Sequence, residues 1–318
     1  MSFLANPTSS ILVFGAMHMD KLAHCIRPFM AGVSNPVKSE FAVGGVGFNI
    51  ARNLKQRRLN IGMVSCVGED PDGRYVKKSA EEWSINIHLV QVSKRKPTAT
   101  YTAILNNDGE LAAGLSEMDI YDLLSVERLE PYLKDFYRYP YWVIDANLPA
   151  ETIEWLGKHK GDSKILAAPV SVVKAERWQL ALENADVWIG NGTEATVLSG
   201  VLVNDAESAQ IAADKLITMG PKLAVITLAA DGVVVSSEKT RGHWFIPPTE
   251  VKDVNGAGDS FFAGFTAALS KGFGVEKAAS MGISVASLTT ENDGPVIKDL
   301  SDEMIEARMR QLPDPVIL

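Results

Sequence analysis

Short apolar, β-branched runs alternate along this chain with longer stretches of helical spacing, and a few polar residues join each to the next. Strands are expected over residues 11–14, 61–67, 87–92, 141–144, 164–167, 187–189 and 223–228. Helices are expected over 49–55, 74–83, 150–159 and 206–219. Such alternation predicts an α/β fold, a mostly parallel central sheet flanked by helices on both faces. Two stretches break the rhythm, 21–43 and 98–118, which read as strands and turns without helices between them. In the second, Thr98-Ala99-Thr100-Tyr101-Thr102-Ala103-Ile104-Leu105 runs into Asn106-Asn107-Asp108-Gly109, a hairpin signal. No repeat, low-complexity tract or linker divides the chain, so residues 1–318 read as one domain.

Composition narrows the partners. The net charge is −8, and the cluster Lys94-Arg95-Lys96 is too short to be more than a solvated loop. Nucleic-acid binding is not expected, and an anionic substrate needs local cations against an unfavourable overall field. No apolar run reaches membrane-spanning length, and residues 1–10 lack the basic and apolar regions of a secretory leader. Cys25 and Cys66 make neither a disulfide framework nor a metal spacing. A cytoplasmic protein is expected.

Chemistry concentrates in Asp253-Val254-Asn255-Gly256-Ala257-Gly258-Asp259-Ser260-Phe261-Phe262-Ala263-Gly264. A bare turn enters an apolar helical stretch, and exposed N–H groups at a helix N-terminus form an anion site. Asp259 stands where that anion would lie. Asp259 reads in two ways, as a helix N-cap or as a base that takes a proton from an alcohol. Gly258 is expected to admit the transferred group, with a positive φ.

The pattern Asp-x-x-Gly-Ala-Gly-Asp-x-Phe-x-x-Gly resembles the C-terminal signature of the ribokinase-like (PfkB) carbohydrate kinases. That resemblance implies an anion hole at Gly256, Ala257 and Gly258, with Asp259 as catalytic base. Gly44-Gly45-Val46-Gly47-Phe48-Asn49-Ile50-Ala51, with Val67-Gly68-Glu69-Asp70 and Gly73 downstream, resembles the family's N-terminal signature. It implies that Gly44, Gly45 and Asn49 contact sugar hydroxyls, although Asn49 alone also reads as a helix cap. Asp20 follows the first strand, where open α/β sheets bind ligands, and matches the family's hydroxyl-binding Asp. His18 replaces the usual Asn two positions earlier. Asn191-Gly192-Thr193-Glu194 is a capping-box pattern, and the family uses the same spacing to place Mg²⁺ and phosphates through water at Glu194. Thr227, Gly232 and Asp253 are implied beside the nucleotide, with Ala229 where the family has Gly. Residues 287–294 are implied near the adenine and a monovalent-cation (K⁺) loop. The family's small β-lid corresponds to 21–43 and 98–118, and a homodimer through that lid follows from the same likeness.

Within the family, Val46, Asn147 and Pro169-Val170-Ser171-x-x-Lys174 resemble bacterial pseudouridine kinases more than ribokinases, although Ala168 stands where Asp is usual. The expected reaction is ATP- and Mg²⁺-dependent phosphorylation of a ribosyl 5′-hydroxyl, that of pseudouridine first, with Asn147 at the substrate. The uracil is expected towards the lid, near Thr100 and Thr102. The alternatives are a kinase of another sugar or nucleoside, and a non-catalytic nucleoside-binding protein.

Overall fold

The computed structural model describes residues 9–317; residues 1–8 and Leu318 lie outside the described residues, and with them most of the segment read for a leader. Among the described residues fourteen strands form two sheets: β1 (Ser10–Phe14), β2 (His18–Cys25), β3 (Val37–Gly44), β4 (Asn60–Gly68), β5 (Asn86–Ser93), β6 (Thr100–Leu105), β7 (Leu111–Glu117), β8 (Tyr141–Asp145), β9 (Lys164–Ala168), β10 (Val187–Asn191), β11 (Leu223–Thr227), β12 (Val233–Ser237), β13 (Arg241–Trp244) and β14 (Val316–Ile317). The large sheet runs β14-β13-β12-β11-β10-β9-β8-β1-β4-β5. Strands from β5 to β11 pair in parallel, and β12, β13 and β14 add an antiparallel edge.

Two-sided burial explains why the central strands are apolar at most positions rather than alternating. Ile11 and Val13 of β1 join the core on one face, with Ile50, Phe261 and Ile283 from helices Val46–Gln56, Ala257–Ser270 and Val275–Thr290. Leu12 and Phe14 turn to the other face, against Ile153 of helix Ala150–Lys158 and Ala209 of helix Ala206–Thr218. Successive side chains of a strand point to opposite faces, so one pentapeptide nucleates both layers. The expected fold class is the observed one. Helix Pro71–Glu82 starts three residues before its expected position, because Asp70 accepts from the Gly73 N–H at 2.7 Å and Pro71 fits the first turn.

The order reverses at β1, which has β4 on one side and β8 on the other. Open α/β sheets bind ligands at such a switch point, beyond the carboxyl ends of the strands. There the chain leaves β1 through Gly15-Ala16-Met17 and enters the small sheet, ordered β3-β2-β6-β7. This is the expected β-lid with wider limits, since its strands begin at His18 and return at Gly44. Lys21 ties it to helix Pro71–Glu82 through Asp72 at 3.8 Å. Among the described residues no helix is long and apolar enough to cross a membrane.

Candidate active site

Asp145, at the end of β8, organises the switch point. Its Oδ2 accepts from the N–H groups of Ala16 (2.8 Å) and Gly47 (3.0 Å), and its Oδ1 from that of Asn147 (2.8 Å). Complete burial pushes its pKa up, and these N–H donors oppose that shift. One carboxylate thus pins the exit from β1, the start of helix Val46–Gln56 and the loop after β8. Gly45 makes the close approach possible. Its φ is 106°, and a Cβ there would lie 2.4 Å from the Ala16 carbonyl oxygen. At Gly44 a Cβ would instead strike the Asp20 carboxylate, which leans over it.

On the far side, Gly256 takes φ 74° and forms the N-cap of helix Ala257–Ser270 with no side-chain cap. The helix-cap reading of Asp259 therefore fails, since Asp259 lies within the first turn. The left-handed residue is Gly256, where a Cβ would lie 2.3 Å from Pro295 Cβ, and not Gly258. The Ala257 N–H donates to the Val254 carbonyl at 3.2 Å, so of the three residues expected to form the anion hole it is the one whose N–H is already engaged. A Cβ on Gly258 would meet nothing within 4 Å, so the side of the turn its Cα presents is open.

Asp259 is brought to the opposite signature across 210 residues: its Oδ2 accepts from Asn49 Nδ2 at 2.8 Å. Asn49 caps no helix, for helix Val46–Gln56 starts at Gly45 without a side-chain cap. Burial pushes Asp259 up to about 7, while the Asn49 bond and the Arg52 cation pull it down and the Asp145 and Glu194 carboxylates add to the rise. A carboxyl group tuned near neutrality suits proton transfer from an alcohol.

The remaining predicted residues divide by what holds them. Asp20 Oδ1 lies 3.1 Å from His18 Nε2, and His18 is buried beside it. Asn191 and Glu194 form the full capping box, with Asn191 Oδ1 accepting from the Glu194 N–H (2.9 Å) and Glu194 Oε2 from the Asn191 N–H (2.8 Å). Burial raises the Glu194 pKa. Asn147 Oδ1 accepts from Lys174 Nζ at 2.5 Å. Asp253 braces its own turn, accepting from the N–H groups of Asn255 (2.9 Å) and Gly294 (3.1 Å). Thr227 donates towards the Gly190 carbonyl at 3.4 Å. Gly232 needs φ 95°, and Ala229 keeps the left-handed turn at φ 51° despite its side chain. Register separates Thr100 and Thr102 from Asp20: they pair with Met19 and Lys21, and Tyr101 lies beside Asp20 on its face. The motifs did not single out Asp145 or Arg52 as site residues. Asp145 had one signal, a lone carboxylate ending an apolar strand.

The profile of the "pfkB family carbohydrate kinase" family matches residues 8–302. The pseudouridine kinase of Escherichia coli K12 is 26% identical over 255 residues, covering 80% of this chain and 82% of that protein. The guanosine-inosine kinase of Exiguobacterium acetylicum is 25% identical over 306 residues, covering 94% and 99%. The structure of a carbohydrate kinase from Agrobacterium tumefaciens superposes with a TM-score of 0.87 at 29% identity, covering 98% of this chain and 100% of that one. With its ribokinase-like sheets and both signatures in place, this chain belongs to the pfkB family of carbohydrate kinases, enzymes that phosphorylate sugars and nucleosides.

Proposed function

We propose that the protein transfers the γ-phosphoryl group of ATP to the 5′-hydroxyl of a ribosyl nucleoside, with pseudouridine as the preferred acceptor. The observation that carries the reading is Asp259, a carboxyl group near neutrality at the open head of an uncapped helix. Asp259 takes the hydroxyl proton as the oxygen attacks phosphorus. The Gly258 and Asp259 N–H groups receive the transferring phosphoryl oxygens. Asp20 accepts hydrogen bonds from two ribose hydroxyls, with His18 steadying its carboxylate and Gly44, Gly45 and Asn49 alongside. These contacts hold the 5′-hydroxyl towards Asp259. Asn147 and Lys174 border the same acceptor pocket.

Glu194, an oxygen donor buried between the Asn191 turn and Asp259, fits Mg²⁺ held through water, an ion that retains much of its hydration. Mg²⁺ would neutralise phosphate charge. Thr227, Gly232 and Asp253 are assigned to the nucleotide side. The acceptor's base would meet Tyr101, which leans over Gly114 on the face of Asp20. On the opposite face of the small sheet, Phe41 and Leu115 are exposed at 63% and 58%, which favours pairing with a second copy.

The likeness to a pseudouridine kinase supports the acceptor named. A purine nucleoside is the second reading, favoured by the likeness to guanosine-inosine kinase over nearly the whole chain. The test compares kcat/KM for pseudouridine, uridine, guanosine, adenosine, ribose and fructose 6-phosphate under identical conditions. Preference for pseudouridine is expected; preference for any other acceptor removes the pseudouridine assignment and leaves the kinase assignment intact.

A further inference from the structure

We propose that Arg52 is a positioning residue for phosphoryl transfer, fixing which end of the Asn49 amide faces Asp259 and tethering that pair to the lid. The inference rests on Asp259 being the base, as argued above. An amide side chain can present either its oxygen or its nitrogen, and the two ends differ in what they do to a neighbouring carboxylate. A guanidinium only donates, so it tolerates only the oxygen. One Arg52 terminal nitrogen donates to Asn49 Oδ1, and the same nitrogen donates to the Val43 carbonyl of β3 at 3.1 Å. Asn49 Nδ2 is thereby left for Asp259 Oδ2, and Asp259 Oδ1 takes no hydrogen bond among the described residues. That free oxygen is the one available to an acceptor hydroxyl.

The surroundings argue against a purely structural cation. Arg52 lies over the buried Phe48 ring, 4.8 Å from its centroid. Its Nε is buried with no partner among the described residues. A well-packed apolar side chain would avoid that uncompensated donor. Arg52 is kept where two carboxylates, Asp259 and Asp20, both attract it. The charged groups acting on Asp259 come from three elements: Arg52 from helix Val46–Gln56, Asp145 from the end of β8, and Glu194 from helix Gly192–Ser199. Two are anions that favour the protonated acid, and Arg52 is the cation that opposes them. Because the cation is hydrogen-bonded to β3, displacement of the lid strand would alter the base as well as the acceptor contacts.

The test uses the full-length protein with Mg²⁺·ATP and whichever acceptor in the panel above has the highest kcat/KM. Arg52→Met should move the acid limb of the kcat–pH profile up by about one pH unit, the lower end of what one adjacent charge does. Turnover below the limb should fall about tenfold and recover as pH rises. Arg52→Lys restores the charge without the planar fork, so its limb should return towards wild type while kcat stays reduced. A second readout needs no substrate. It is the midpoint of the pH-dependent difference in melting temperature between a protein that keeps Asp259 and its Asp259→Asn counterpart, which should move up likewise in the Arg52→Met background. An unmoved limb and an unmoved midpoint overturn the proposal, as does an equal loss of rate at every pH. If Arg52→Met does not fold, Arg52→Lys decides the matter, because unchanged kcat in that variant is equally fatal. Wild-type turnover in Asp259→Asn would instead defeat the base assignment, while the melting midpoint still reports whether Arg52 governs the Asp259 carboxyl.

Discussion

Asp259→Asn should make the protein more stable at alkaline pH. The folded protein holds this carboxyl at about 7, against an ordinary value of 3.8. The sign follows from linkage: a carboxyl whose folded pKa is raised binds its proton more tightly in the folded state, so its ionisation opposes folding. The cost is absent below about pH 4, grows as pH rises through the folded value, and levels off above it. About three pH units at 1.36 kcal/mol each set a ceiling of about 4 kcal/mol. Asp259 keeps some contact with solvent, and screening reduces this to about 2 kcal/mol. Asparagine retains an oxygen for the Asn49 amide, so little is lost in exchange. At about 2 °C per kcal/mol for a chain of this size, the melting temperature should rise by about 4 °C at pH 8.5. Scanning calorimetry of both proteins from pH 4.5 to 8.5 measures it. A gain independent of pH, or none at pH 8.5, would refute the argument that an uncompensated carboxylate is built into this site.

Gly256→Ala and Gly258→Ala should separate stability from turnover. The first forces a Cβ onto Pro295 at a left-handed φ and should cost about 1–3 kcal/mol of stability; the second meets no protein atom, so thermal denaturation should be unchanged while turnover drops at least tenfold. Asp20→Ala removes an ionic acceptor and should weaken acceptor binding by about 2–3 kcal/mol, with ATP affinity unchanged by titration calorimetry. Tyr101→Ala should lower kcat/KM for a nucleoside several-fold more than for free ribose; equal losses would take the aglycone away from Tyr101.

The layers of the fold were legible because buried parallel strands are mostly apolar and their joints polar. The two glycine-rich signatures were legible because backbone near a ligand must be bare. What escaped depends on distance and register. Arg52 lies one helical turn beyond Asn49, within reach of it, but nothing local tells that Asn49 meets Asp259, 210 residues on. The lid hairpin was readable, yet its pairing with β2 turns Thr100 and Thr102 away from the Asp20 face, a parity that sequence alone leaves open. Asp253 was marked by its place in the signature, but that its carboxylate also accepts from the Gly294 N–H, 41 residues on, is set by the fold. Ala229 stands where the family has Gly, and its left-handed φ of 51° is a backbone feature that its residue type does not announce.

The most direct measurement is the single-turnover rate of Asp259→Asn at saturating ATP and acceptor, alongside acceptor affinity. Losing the base should cut the rate by about two to four orders of magnitude while acceptor binding stays within a few-fold of wild type. A folded variant that transfers phosphate near the wild-type rate would contradict the assignment of Asp259 as the base.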